Sequence, residues 1–193
     1  GCKKSGGVVK TFSTTQMVNI LCEKYGLKLY ETPIGFKYIC QLMLEEDILI
    51  GGEESGGIGI KNHIPERDGI LCALILLEAM AYSEKPVGKL LDELMLKTGA
   101  FYYDRTDLHI ESNEKKESFM EKLSLNPPGN FDGMTLKEVK LTDGVKLMFN
   151  DKSWILFRPS GTEPVLRVYA ESTSREKVAG LLKAGEKLAS GGR

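Results

Sequence analysis

The chain has 193 residues, 41% hydrophobic and 27% charged, and its 26 basic and 27 acidic side chains leave a formal net charge of −1. That balance excludes the broadly basic surface of a general nucleic-acid binder or of a protein held on an anionic membrane, so any bound anion needs a local cluster. The longest apolar run, residues 70–77, is too short to span a bilayer, the four cysteines show no C-x-x-C spacing, and no leader-like apolar stretch is visible, so a soluble cytoplasmic protein is expected.

Residues 8–12 are short and β-branched, and Ser13 or Thr14 is placed to cap a helix carrying Met17, Ile20 and Leu21 on one face. Residues 27–32 alternate as a second strand, residues 36–44 form a second helix, and Ile48-Leu49-Ile50 is a buried strand ending at Gly51-Gly52. A long helix is expected from Asp68 to Tyr82 with Leu71, Leu74, Ile75 and Ala79 on one face. Another, over 87–97, starts after Pro86 and stops at Gly99. Strand–helix alternation of this kind predicts an α/β fold, an αβα-layered domain with a mostly parallel sheet.

The rhythm then changes. Residues 101–110 are aromatic and alternating, 114–123 form a charged amphipathic helix, and Asn126-Pro127-Pro128-Gly129-Asn130 is a loop. Strands over 136–141, 145–149, 154–157 and 165–171, with a tight turn at Thr142-Asp143-Gly144, lead into a last helix over 174–188. This pattern predicts a small α+β domain with a four-stranded antiparallel sheet and helices. The expected domains are 7–105 and 106–193.

Three segments carry chemistry. Phe157-Arg158-Pro159-Ser160-Gly161-Thr162-Glu163-Pro164, with Arg167 on the next strand, combines a turn able to expose backbone N–H groups, two hydroxyls and a planar guanidinium. These are the groups an oxyanion needs, although an ordinary turn uses the same residue types. Ile50-Gly51-Gly52-Glu53-Glu54-Ser55-Gly56-Gly57 follows a parallel strand at its C-terminal end, where α/β sheets place ligands. Its carboxylates and hydroxyl suit sugar hydroxyls and repel a pyrophosphate; a solvated loop is the plainer alternative. Lys61-Asn62-His63-Ile64-Pro65-Glu66-Arg67-Asp68 precedes the long helix, with Arg67 at its N-terminal end and Asp68 as its expected cap. His109 has no motif around it.

In this order the segments resemble the C-terminal half, domains 3 and 4, of the α-D-phosphohexomutase family, the phosphoglucomutases and phosphomannomutases. Val8-Val9-Lys10-Thr11 and Glu31-Thr32-Pro33-Ile34-Gly35-Phe36-Lys37-Tyr38 resemble the opening of the third domain. Gly52-Glu53-Glu54-Ser55-Gly56 resembles the sugar-specificity loop, and Arg158-Pro159-Ser160-Gly161-Thr162-Glu163-Pro164 the phosphate loop of the fourth domain. The resemblance implies an isomerase that interconverts hexose 1-phosphate and 6-phosphate through a phosphoserine and a bisphosphate intermediate. It gives Glu53 and Ser55 the sugar hydroxyls, and Arg158, Ser160, Gly161, Thr162 and Arg167 the phosphate, with Arg67 and His63 as further contacts. Mg²⁺ and glucose 1,6-bisphosphate are the implied cofactors of the whole enzyme; hexose phosphates and N-terminal domains 1 and 2 are the implied partners. Some relatives have His where this chain has Phe36 or Gly57, which favours the glucose-type branch.

The family's Thr-x-Ser-His-Asn-Pro nucleophile segment and Asp-x-Asp-x-Asp metal loop are absent from these residues, and the eight aspartates are scattered. No catalytic residue or metal ligand is therefore expected within the chain, which should bind sugar phosphates without turnover, as a fragment of a longer enzyme. The alternative is a naturally short, non-catalytic sugar-phosphate-binding or regulatory module.

Overall fold

A computed structural model describes residues 5–161 and 163–191. The chain divides into two compact units, one ending at Ala100 and the next starting at Phe101. In the first unit β1 (Gly7–Thr11), α1 (Gln16–Tyr25), β2 (Leu29–Thr32), α2 (Phe36–Glu45) and β3 (Ile48–Gly52) follow in turn. Strands β2 and β3 flank β1, both parallel to it. The chain leaves β1 toward one side of the sheet and returns from β2 to the other. Right-handed crossovers therefore set α1 and α2 on opposite faces, in αβα layers. The reversal makes the C-terminal ends of β1 and β3 a topological switch point.

Strand β4 (Ile58–Ile60), which the sequence did not reveal, pairs antiparallel with β3 and turns the glycine-rich segment into a hairpin. The core of this unit is Val9, Phe36, Ile39 and Ile48. Helix α1 is capped by Thr15, whose side chain accepts from Met17 N at 3.1 Å, rather than by Ser13 or Thr14. Those two are engaged elsewhere: Ser13 with Glu54, and Thr14 with Thr11.

Helix α3 (Gly69–Ser83) is capped by Asp68 as expected, its carboxylate accepting from Ile70 N at 3.0 Å and Leu71 N at 2.9 Å. The face shared by Leu71, Leu74, Ile75 and Ala79 is not set apart by burial. No α3 residue is buried, and Ile70, Leu74 and Leu77 are 78%, 58% and 59% exposed. Consecutive apolar residues circle this helix instead of forming one stripe, so periodicity has no face to select. Helix α4 (Val87–Thr98) ends at Gly99 and packs against α1 and α3.

The second unit comprises β5 (Tyr102–His109), α5 (Asn113–Leu125), β6 (Asn130–Phe131), β7 (Met134–Lys140), β8 (Val145–Phe149), β9 (Trp154–Pro159), β10 (Val165–Ser172) and α6 (Arg175–Ala189). Its antiparallel sheet has the order β5-β10-β9-β8-β7-β6, six strands where four were expected. The aromatic, alternating segment is the edge strand β5, paired along its whole length with β10, and β6 adds a two-residue extension. A domain division after residue 105 would cut β5. Helices α5 and α6 pack on one sheet face over Leu147, Ile155, Phe157, Leu166 and Val168. Helix α6 buries Val178, Leu181, Leu182 and Gly185, one stripe at helical spacing. Full burial of side chains the size of Phe157 or Leu181 stabilises by about 1.5–3 kcal/mol each.

Candidate functional site

The β3–β4 hairpin stands at the C-terminal edge of the parallel sheet, beside the end of β1. Glu53 N donates to Gly57 O at 3.0 Å, Gly56 N to Glu53 O at 3.1 Å, and Gly56 adopts φ +91°, a conformation that favours glycine. The two adjacent carboxylates separate in role. Glu54 turns inward, its Oε2 accepting from Ser13 Oγ at 2.5 Å and Thr11 Oγ1 at 3.2 Å, and so ties the hairpin to β1. Glu53 lies beneath Arg67, whose Nη1 reaches its Oε2 at 3.5 Å; the Glu53 side chain is 7% exposed and that of Arg67 59%. Ser55 is exposed at the tip.

Phe36 and Gly57 are neighbours here. A Cβ on Gly57 would lie 3.2 Å from Arg67 Cδ and 3.5 Å from Phe36 Cδ2, and the Arg67 guanidinium stacks 5.6 Å from the Phe36 ring centroid. The aromatic ring and the arginine thus fill the ground that a side chain at position 57 would occupy. His63 does not face this cluster. Its Nε2 is 2.8 Å from Asp68 Oδ2, which makes it a partner of the helix cap. Hydrogen bonds from Leu71 N, then from His63, hold the Asp68 carboxyl below the usual carboxylate range.

In the second unit the loop joining β9 and β10 follows Arg158 and Pro159. Antiparallel register sets Arg158 directly opposite Arg167, and Arg167 opposite Asp107. Like charges facing each other across strands are destabilising unless something lies between or beside them. Arg158 Nε donates to Asp143 Oδ1 at 3.1 Å, and Asp107 is taken by Arg105 Nε at 3.2 Å. Burial opposes the charge of Arg158, but the Asp143 hydrogen bond and charge outweigh it and raise its pKa. Arg167 Nε is buried without a hydrogen-bond partner among the described residues. A buried donor left so costs about 1–3 kcal/mol.

The loop itself does not expose all of its N–H groups. Ser160 N donates to Val165 O at 2.8 Å, extending the β9–β10 ladder, while Gly161 is exposed with no atom within 4 Å of its Cβ position. Thr162 lies outside the described residues. Asp143 reaches Arg158 because Gly144, at φ +99°, lets the turn cross against β9; a Cβ there would meet Phe157 O at 2.3 Å. Sequence reasoning missed Asp143 in this role and also two buried lysines, Lys10 and Lys116. Lys10 donates to Thr14 O at 3.0 Å and Thr15 O at 3.2 Å and pairs with Glu31 at 3.6 Å. A lysine at the C-terminal end of an otherwise buried parallel strand was the available signal. His109 lines a groove of about 960 Å³ beside α5 and the end of α6 that contains none of the expected site residues.

Among the described residues no group of three or more His, Cys, Asp or Glu side chains could hold a metal ion. Mg²⁺ asks for clustered oxygen donors, and these side chains do not offer them. No helix of the described residues is long and apolar enough to cross a membrane.

The chain is thus an α/β protein whose switch-point hairpin and arginine-framed turn both stand at strand ends. The family described as phosphoglucomutase/phosphomannomutase, alpha/beta/alpha domain III, matches residues 1–98, and its C-terminal domain matches residues 114–186. A phosphoglucomutase/phosphomannomutase of Thermococcus kodakarensis is 31% identical over 96% of this chain and 39% of its own length. The crystal structure of a putative phosphomannomutase from Thermus thermophilus superposes with a TM-score of 0.79 at 36% identity, over 97% of this chain and 37% of that one. N-acetylphosphoglucosamine mutase of Aspergillus fumigatus shares the fold at 15% identity and a TM-score of 0.58, over 99% of this chain and 40% of its own in a complex with glucose 1,6-bisphosphate, and over 95% and 40% in one with GlcNAc-6P and magnesium. The chain belongs to the α-D-phosphohexomutase family, a family of isomerases, and spans well under half the length of these relatives.

Proposed function

We propose that this chain supplies the sugar-phosphate-binding, C-terminal part of a phosphohexomutase that interconverts hexose 1-phosphate and 6-phosphate. In the first unit Glu53 and Ser55 take sugar hydroxyls, with Arg67 beside them. In the second, Arg158, Ser160, Gly161, Thr162 and Arg167 hold the phosphate that is not being transferred. A phosphoserine outside this chain donates its phosphoryl group to the sugar phosphate. The bisphosphate turns over, and the other phosphoryl group returns to the serine. The whole enzyme's Mg²⁺ and that serine are assigned to domains beyond these 193 residues, which contain neither the serine segment nor the aspartate loop.

The observation that carries the reading is the cross-strand pair of Arg158 and Arg167, with Arg167 Nε buried and without a hydrogen-bond partner among the described residues. Calorimetry of the chain with glucose 1,6-bisphosphate tests it. Binding is expected, and Arg158→Ala should weaken it roughly 10- to 100-fold, the worth of a charge-assisted hydrogen bond. The chain alone should not isomerise glucose 1-phosphate. Equal binding by the variant would remove the phosphate assignment, and metal-stimulated turnover would remove the non-catalytic one.

A further inference from the structure

Lys116 lies in the first turn of α5 and is 4% exposed. A cation is disfavoured there by the helix dipole, so the helix itself gives no reason for this residue. Its Nζ donates to Ser160 O at 2.7 Å, to Glu163 O at 2.6 Å and to Asn113 Oδ1 at 2.9 Å. An ammonium has three N–H groups, and all three are used on neutral oxygens. No ion pair compensates its charge among the described residues. Both backbone acceptors belong to the β9–β10 loop, 44 and 47 residues along the chain.

The peptide geometry gives these bonds a direction. In a trans peptide the C=O and the following N–H point opposite ways. Fixing the Ser160 carbonyl on Lys116 therefore turns the Gly161 N–H away from the ammonium, and Gly161 itself is exposed. The same ammonium polarises that peptide and strengthens the N–H as a donor. The Glu163 carbonyl precedes Pro164, which has no N–H, so the second bond fixes the far end of the loop without aiming another donor.

We propose that Lys116 is a positioning residue of the phosphate site, which aims and polarises the Gly161 N–H through the Ser160 carbonyl and adds an uncompensated positive charge behind the loop. The inference rests on the phosphate-loop assignment above and deepens it, for Lys116 itself touches no ligand.

The test is a titration of the ¹⁵N-labelled full chain with inorganic phosphate, following the Gly161 amide and the dissociation constant. In the unsubstituted chain phosphate should shift the Gly161 N–H downfield. Lys116→Met should weaken binding at least 10-fold and diminish that shift. Lys116→Arg, which keeps the charge and the donors, should stay within about 3-fold of the unsubstituted chain. Trp154 fluorescence and amide dispersion establish folding. Should Lys116→Met fail to fold, Lys116→Gln keeps donors to the loop without the charge and is expected to bind about 5-fold more weakly. Phosphate affinity and Gly161 shift unchanged in folded Lys116→Met, or in Lys116→Gln where that variant is used, overturn the proposal while Arg158→Ala still weakens binding. If phosphate leaves Gly161 unmoved in the unsubstituted chain, or Arg158→Ala binds equally well, the phosphate-loop assignment falls and this inference with it.

Discussion

Glu54 is adjacent to a proposed sugar ligand and would pass for one, yet its geometry assigns it to stability. Thr11 and Ser13 are fully buried, and both hydroxyls donate to Glu54 Oε2. Glu54→Ala removes both bonds with unequal effect. Thr11 Oγ1 retains Thr14 Oγ1 at 2.9 Å, whereas Ser13 Oγ loses its acceptor inside the protein. A hydrogen bond to a charged group contributes about 1.5–3 kcal/mol, and an orphaned buried donor bears its full desolvation cost, so a loss of about 3 kcal/mol is expected. Glu54→Gln keeps an oxygen acceptor and should lose about 1 kcal/mol. Urea unfolding followed by far-UV circular dichroism reads both; with a slope of about 2 kcal/mol/M the Ala variant's midpoint should fall by roughly 1.5 M. Trp154, the chain's one tryptophan, lies in the second unit, and its fluorescence reports whether that unit stays folded. A loss under about 0.5 kcal/mol for Glu54→Ala would refute the reasoning. Unchanged stability with lost sugar-phosphate binding would make Glu54 a ligand after all.

Two further outcomes follow from the helix that begins at Asp68. Its carboxyl is held below the usual range, so the unfolded chain takes up the proton first as pH falls. The capping contribution is full above the unfolded value near about pH 4 and is lost as pH drops through the lower folded value. Thermal melts of the parent chain and Asp68→Asn should therefore differ at pH 7 and converge below about pH 4; a constant gap would contradict this. Leu77→Glu on α3, at a position 59% exposed, should change stability by less than about 0.5 kcal/mol in urea titration, and a loss above about 2 kcal/mol would show that the side chain is packed.

Where one face of an element is dry and the other wet, composition located it well. The expected α2 over 36–44 is Phe36–Glu45, and the last helix over 174–188 is Arg175–Ala189, each close because an apolar stripe, a cap or a breaker marks its ends. The failures come from elements whose stability is nonlocal. Strand β4 is three residues, Ile58–Ile60, held by pairing with Ile50 and Gly52, and β6 is two residues against β7. Neither is long enough to display a period. Helix α3, Gly69–Ser83, lies within a residue of its expected span and has its expected Asp68 cap, but its unbroken apolar run marks no buried face.

Both loops stand out in the sequence as candidate ligand loops, although ordinary turns use the same residue types, but what holds the loop backbone from behind does not. The β1–α1 connection and the β9–β10 loop are each backed by a buried lysine that the sequence does not single out. Lys10 spends N–H groups on the carbonyls of Thr14 and Thr15 at the end of β1, and Lys116 spends its own on Ser160 and Glu163. Both are at most 4% exposed. A loop that presents N–H groups to an anion must send carbonyls the other way, and those carbonyls need donors once they are buried. Lysine meets that need with three donors on a long stem and leaves a positive charge on the side away from the ligand. In sequence Lys116 has no signature, because its partners lie 44 and 47 residues away and are backbone atoms that every residue has.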